Sequence, residues 1–264
     1  MSRPLNDSKG FTLIEMIVTI VVIGILGVGI AGFIGRTTEG MIDASERGKI
    51  SAIAWVVSEK LSRELRLALP NSIQTLSGGS CIEFIPTVAA TDYLSVPILS
   101  GASSFEVVPF ASYVDASVDT SQDRVAVYSN AVSDVYDLSG SQRVISSLLS
   151  SITAGATAGA LTINLQSSHQ FVSDSPTKRL FISQDPVMFC FSGGFLYRYF
   201  DYGFDSTPDT NKQNVMANGA NLGSFAYTDA SLTRNAVVNI AYSVTGSNGE
   251  LQAVNQEVQI RNVP

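Results

Sequence analysis

The chain has 264 residues, of which 15% are charged and 45% hydrophobic, with a net charge of −7. An ordinary soluble domain carries about 25% charged residues, so a disordered acidic chain is excluded and part of this one is expected outside water. The acidic balance excludes a general nucleic-acid coat. Two cysteines exclude a disulfide-dense scaffold or a four-cysteine metal site, and a single histidine excludes H-E-x-x-H zinc chemistry.

Residues 1–10 form a short polar leader containing Arg3, Asp7 and Lys9. Residues 11–34 are then almost wholly apolar, interrupted by Thr12, Glu15, Thr19 and several glycines. A helix of about 20 residues spans a bilayer, whereas the apolar core of a secretory signal runs to roughly 7–15 and precedes a small-residue cleavage site. No A-x-A-like site follows here, so the apolar segment is expected to stay on the mature chain. Arg3 and Lys9 precede the span and favour a cytoplasmic N-terminus. Arg36 follows it but is soon joined by Glu39 and Asp43. Glu15 is the anomaly, since a carboxylate at the bilayer centre costs about 2.5–3.5 kcal/mol and less towards an end. Either it reaches back to the interface, or it has a dedicated positive partner. A cut after Gly10 would free an amine on Phe11, four residues away and on the same helix face. A neighbouring subunit's amine would serve equally.

The run Lys9-Gly10-Phe11-Thr12-Leu13-Ile14-Glu15 resembles the prepilin peptidase site of type IV pilins and type II secretion pseudopilins. The charged leader, the glycine before the cut, the phenylalanine after it and the glutamate at the fifth mature position all agree. The resemblance implies cleavage between Gly10 and Phe11, N-methylation of Phe11, and assembly guided by pairing of Glu15 with a neighbour's amine. It also implies the partners: prepilin peptidase, the inner-membrane assembly platform and other pilin subunits.

Gly27, Ala31 and Gly35 fall at i, i+4 and i+8, a spacing that lets helices approach closely in lipid, although glycine is common in membrane helices in any case. From residue 50 a stripe of Ile50, Ile53, Ala54, Val57, Leu61, Leu65, Ala68 and Leu69 recurs at helical spacing, with charges between, and predicts an amphipathic helix laid on a folded domain. Pro70 stops it. A continuous helix over 11–69 would be about 88 Å long; Gly40 and Gly48 interrupt its middle. Beyond Pro70 the period becomes strand-like, with strands expected at 81–85, 105–108, 124–128, 161–165, 180–183, 187–191, 195–200, 236–244 and 251–260. Glycine turns at 193–194 and 246–249 predict hairpins. Residues 139–159, rich in Ser, Ala and Gly, read as a loop, with a short helix over 148–160 as an alternative. The expected organisation is a leader (1–10), a transmembrane half-helix (11–35), an amphipathic half-helix (36–69) and a β-rich head (70–264). The fold class is α+β, a long N-terminal helix on an antiparallel sheet, which the resemblance implies to be type IV pilin-like.

Cys81 and Cys190 sit in strand candidates. In an oxidising compartment they read as a disulfide, with two buried free thiols as the alternative. Residues 187–199 (a strand, a glycine turn and a strand ending in Tyr197-Arg198-Tyr199) and the C-terminal run from Gln256 to Pro264 are similar to the large minor pilins of the mannose-sensitive haemagglutinin (MSHA) pilus. The resemblance implies a minor pilin that aids filament initiation or tip formation, in the bacterial inner membrane with a periplasmic C-terminal domain and then in the filament. A large-headed type II secretion pseudopilin, or an adhesive head displayed on a pilus, are the rival readings. No nucleophile elbow, P-loop or dinucleotide fingerprint occurs, and no enzyme is expected. His169 reads as a surface histidine. Asp201, Asp205 and Asp209 are expected to share a loop; solvated carboxylates are preferred to a calcium site, the spacing not being that of an EF-hand. Apart from that calcium no cofactor is expected. Tyr197, Tyr199, Phe200, Tyr202 and Phe204 offer a recognition patch, half of it core by strand alternation.

Overall fold

A computed structural model describes residues 10–230 and 234–260. By its internal contacts the chain divides into two units, residues 1–49 and 50–264. Helix α1, Leu13–Arg66, contributes to both.

In the first unit α1 is uninterrupted, Gly40 and Gly48 included. Its apolar part is long and apolar enough to cross a membrane, and its side chains are exposed. Hydroxyls that would otherwise need water are turned onto the helix's own carbonyls. Thr19 donates to Met16 O (2.9 Å), Thr37 to Phe33 O (2.6 Å) and Thr38 to Ile34 O (2.9 Å). A helix in lipid must satisfy its polar groups internally in this way.

The second unit begins at Ile50. Ile50, Ala54, Val57, Leu61 and Leu65 are buried; Ile53, expected in the stripe, is 36% exposed because it falls beside that seam. The helix ends at Arg66 rather than Leu69. Its last turn tightens, with Leu67 N–H donating to Glu64 O (3.0 Å) and Ala68 N–H to Leu65 O (3.1 Å), the usual way to satisfy terminal carbonyls, and Pro70 follows.

The strands after it are β1 (Gln74–Leu76), β2 (Cys81–Phe84), β3 (Thr87–Asp92), β4 (Ala102–Val107) and β5 (Arg124–Val127). After a short helix α2 (Val132–Tyr136) come β6 (Gln142–Arg143), β7 (Ile145–Ala154), β8 (Leu161–Phe171) and β9 (Arg179–Ser183). The chain closes with β10 (Val187–Ser192), β11 (Phe195–Tyr199), β12 (Gln213–Asn218), β13 (Ala220–Thr228), β14 (Ala236–Thr245) and β15 (Leu251–Ile260). Among the described residues they make three sheets, ordered β1-β2-β10-β11-β12, β13-β14-β15 and β3-β9-β5-β7-β8-β4, with β6 parallel beside β8; every other pairing between these strands is antiparallel. The fold is α+β.

The first two sheets share one core with the buried face of α1, including Phe84, Phe189, Leu196, Phe225, Val238 and Ile240. Phe191 stacks on Phe225 (5.0 Å between centroids) and Tyr242 (5.6 Å). That stack requires Gly223, where a Cβ would fall 2.0 Å from the Phe191 ring; β13 also shifts register between Asn221 and Ser224. The β10–β11 hairpin turns through Gly193 and Gly194, with φ of 58° and 82°, values that glycine adopts without strain.

The region 139–159 corrects the sequence expectation in its middle, where residues 142–143 and 145–154 are strand rather than loop or helix, while its two ends are loop. β7 runs through it, burying Ile145, Leu149 and Ile152. Its buried Ser146 accepts the Val125 N–H (2.8 Å), so a hydroxyl stands in for a ladder partner.

Candidate functional site

The site with the most local definition is the start of α1. Residues 10–12 are not helical. Thr12 is the N-cap, since its carbonyl already accepts the Met16 N–H (3.2 Å). The Glu15 N–H donates to Thr12 Oγ1 (3.4 Å), while Thr12 N–H and Oγ1 both lie 3.5 Å from Glu15 Oε2. Thr12-x-x-Glu15 is thus a capping box, each side chain satisfying an orphan donor of the other's backbone. The carboxylate also sits at the positive end of the helix dipole, worth about 0.3–1 kcal/mol in general. This answers part of the cost of a glutamate in an apolar helix. It also corrects the expectation that Phe11 and Glu15 share a helix face: Phe11 precedes the cap, outside the helix. Gly10 and Phe11 are exposed, Phe11 at 79%, and a Cβ at Gly10 would meet no atom within 4 Å. The scissile candidate is an open, non-helical peptide bond. Arg3, Asp7 and Lys9 of the leader lie outside the described residues.

Residues 5–31 match the family model of the prokaryotic N-terminal methylation motif. The match covers the end of the leader, the Gly10–Phe11 bond, Glu15 and most of the apolar run. It supports the class of type IV pilins and pseudopilins, membrane-anchored and assembled with other subunits after peptidase processing. No curated protein and no solved structure matches the chain.

In the head, Cys81 and Cys190 form a disulfide with Cα atoms 4.1 Å apart. Phe191 N–H donates to Ser80 O (2.9 Å), so the pair 80/191 is hydrogen-bonded. Its neighbour 81/190, directly opposite across β2 and β10, is the non-hydrogen-bonded pair, where side chains lie closest.

The three candidate calcium ligands are not brought together. Asp201 pairs with Lys212 (2.8 Å), Asp205 accepts from Thr207 N–H (3.1 Å) and Asp209 from Asn211 N–H (2.8 Å). Each closes its own turn or pair, and among the described residues no three metal-ligating side chains converge. The aromatic residues divide: Tyr197, Tyr199 and Tyr202 pack together against the disulfide, with the Tyr197 and Tyr199 ring centroids 6.1 Å apart, while Phe200 lies under Arg198. Tyr199 is buried, Phe204 packs on Tyr136 and under Arg124, and Tyr202 donates to Glu83 Oε1 (2.7 Å).

One head residue overturns its sequence reading and another was missed by it. His169 is 2% exposed rather than at the surface. It shares the inner face of β8 with Phe171, ring centroids 4.5 Å apart. Its Nε2 lies 3.2 Å from Arg143 O, and Nδ1 has no hydrogen-bond partner among the described residues. Burial pushes its pKa down to about 4. Glu83, fully buried in β2, accepts from Gln74 Nε2 (2.5 Å), Tyr202 (2.7 Å) and Ser206 (2.6 Å). It pins the 200–212 loop to the sheet, and burial beside this carboxylate raises the Tyr202 phenol far above its ordinary value. A lone glutamate inside Cys81-Ile82-Glu83-Phe84 was the available signal for it.

Proposed function

We propose that the chain is a minor pilin of an MSHA-type type IV pilus, entering the filament through its N-terminal helix and aiding its initiation or tip. The observation that carries this reading is the methylation motif over residues 5–31 coinciding with an open Gly10–Phe11 bond and a glutamate at the first turn of an apolar helix. Prepilin peptidase cuts after Gly10 on the cytoplasmic side, and the new amine of Phe11 is methylated. Glu15 then has two available partners. In the isolated subunit it caps its own helix; in the filament a neighbour's amine replaces Thr12, exchanging weak bonds for a charge pair in a low-dielectric setting. The head lies in the periplasm before assembly, a placement supported by the disulfide. The MSHA assignment is supported by the 187–199 hairpin and the C-terminal run. A type II secretion pseudopilin would use the same helix.

The test is incorporation into filaments sheared from cells, for the wild type and for Glu15→Ala. The variant is expected to lose its leader normally and to be missing from filaments. Normal incorporation of Glu15→Ala would overturn the pairing. Loss of wild-type incorporation on deleting secretion genes, but not MSHA genes, would move the chain to the pseudopilins.

A further inference from the structure

The head is one compact unit by its contacts, but it holds two separate large hydrophobic cores. The chain leaves the helix-backed sheets at the end of β2 and returns to them in β10. These strands are hydrogen-bonded neighbours, with Val187 opposite Phe84. At the neck Gln184 N–H donates to Pro86 O (3.1 Å), so the points of exit and re-entry touch. Everything between them, residues 87–183, is one excursion from a single turn position.

That excursion pairs only with itself in its sheet. Strands β3-β9-β5-β7-β8-β4 run in order. The two edge strands then meet at a bridge between Tyr93 and Val107, flanked by Leu94 N–H to Glu106 O (3.0 Å) and Val108 N–H to Asp92 O (2.8 Å). The sheet therefore closes into a small barrel, which removes its open edges. Its core contains Phe105, Val125, Leu149, Ile163, Phe171 and Ile182, and among the described residues none from outside 87–183 contributes. Conversely, the core behind α1 contains no residue from 87–183. The two parts meet at a smaller cluster, where Leu69 and Ile85 face Ala126, Val135, Val144 and Ile145, and through hydrogen bonds beside it, from Ser129 Oγ to Pro70 O (2.6 Å), Asn71 Nδ2 to Ser129 O (2.7 Å) and Tyr136 OH to Ser72 O (2.9 Å). The disulfide Cys81–Cys190 joins the two neck strands just below the exit. The excursion has the length of an ordinary domain, and its ends already coincide, the condition under which an inserted domain is tolerated.

We propose that residues 87–183 are a self-contained barrel module inserted into the head and not needed for assembly. The helix and the two sheets behind it are the assembly unit. The assembly half rests on the pilin reading; the folding half does not.

Hydrogen exchange on the full-length protein in detergent tests the folding half, with Ile163→Ala in the barrel core and Ile240→Ala in the helix-backed core. Both side chains are fully buried, and truncation of such a residue should accelerate protected amides at least about thirtyfold in its own unit. Ile163→Ala is expected to do so within 87–183 and to leave β14 and β15 as in the wild type; Ile240→Ala should do the reverse. Acceleration of both sets by either variant would overturn the proposal. For the assembly half, Pro86 is joined to Gln184 through Gly-Ser-Gly, and processing and incorporation are compared with the wild type in the same cells. Incorporation of the excised chain at the wild-type level is expected. Its exclusion from filaments, or loss of wild-type exchange protection in β14 and β15, would overturn the proposal. Absence of the wild type itself from filaments would instead sink the pilin reading.

Discussion

Replacing Cys81 and Cys190 together with alanine measures how the head unfolds. If the head opens as one unit, the disulfide closes a loop with a sequence separation of 109. In the chain-entropy treatment such a loop is worth about 5 kcal/mol. If the barrel stays folded while the helix-backed sheets open, its neck already holds residues 86 and 184 together. Only residues 81–86 and 184–190 are then free to wander, and a loop of about 13 residues is worth about 3 kcal/mol by the same relation. Hydrogen exchange of the full-length protein at several urea concentrations reads both units at once. The expected result is a loss of about 3 kcal/mol, roughly a hundredfold in exchange, confined to β10, β11, β14 and β15. A loss near 5 kcal/mol that extends equally into β7 and β8 would refute the reasoning.

Gly223→Ala is expected to destabilise the helix-backed sheets by about 3 kcal/mol or more, because the new methyl overlaps the Phe191 ring at 2.0 Å; wild-type thermal stability would contradict that packing. His169 titrates near 4 when folded and near 6.5 when unfolded. Nothing is lost above pH 6.5. As pH falls from 6.5 to 4 the unfolded chain binds a proton that the folded one refuses, and barrel stability should drop by as much as about 3 kcal/mol before levelling off. His169→Asn should flatten that slope in urea titrations at pH 7 and 4.5, whatever its absolute stability. Arg198 Nε lies 2.8 Å from Glu64 Oε2, with both side chains about four-fifths buried. Arg198→Met should cost about 1–3 kcal/mol and Glu64→Gln on top should restore part of it, a recovery that a double-mutant cycle would detect.

The sequence carried the helix well, since apolar length and then a stripe at helical spacing are local signals. Glycines at 40 and 48 did not break it. The alternating strands β14 and β15 and the continuous apolar run of β10 were legible for the same reason, as was the Gly193–Gly194 turn. β7 was not, because four of its ten residues are serines (Ser146, Ser147, Ser150 and Ser151), and serine signals turns unless a partner such as the Val125 N–H absorbs its hydroxyl. His169 misled for a related reason: its flanking Ser168 and Gln170 suggested solvent, while alternation with Phe171 set it inward. β12 has only Val215 among β-branched and aromatic residues and is held mainly by its neighbours. The closure of the barrel depends on Tyr93 meeting Val107 and β2 meeting β10, pairings that no local pattern encodes. At the N-terminus the motif was fully legible, but the capping box between Thr12 and Glu15 was passed over in favour of the intersubunit role.

The central claim is that this chain is processed as a pilin. The most direct measurement is the intact mass of the membrane-extracted protein from cells with and without prepilin peptidase. Loss of residues 1–10 together with one added methyl group on Phe11, only when the peptidase is present, is the predicted result. A full-length, unmethylated chain in both would contradict the account and leave an ordinary signal-anchored domain, with Glu15 capping its own helix and nothing more.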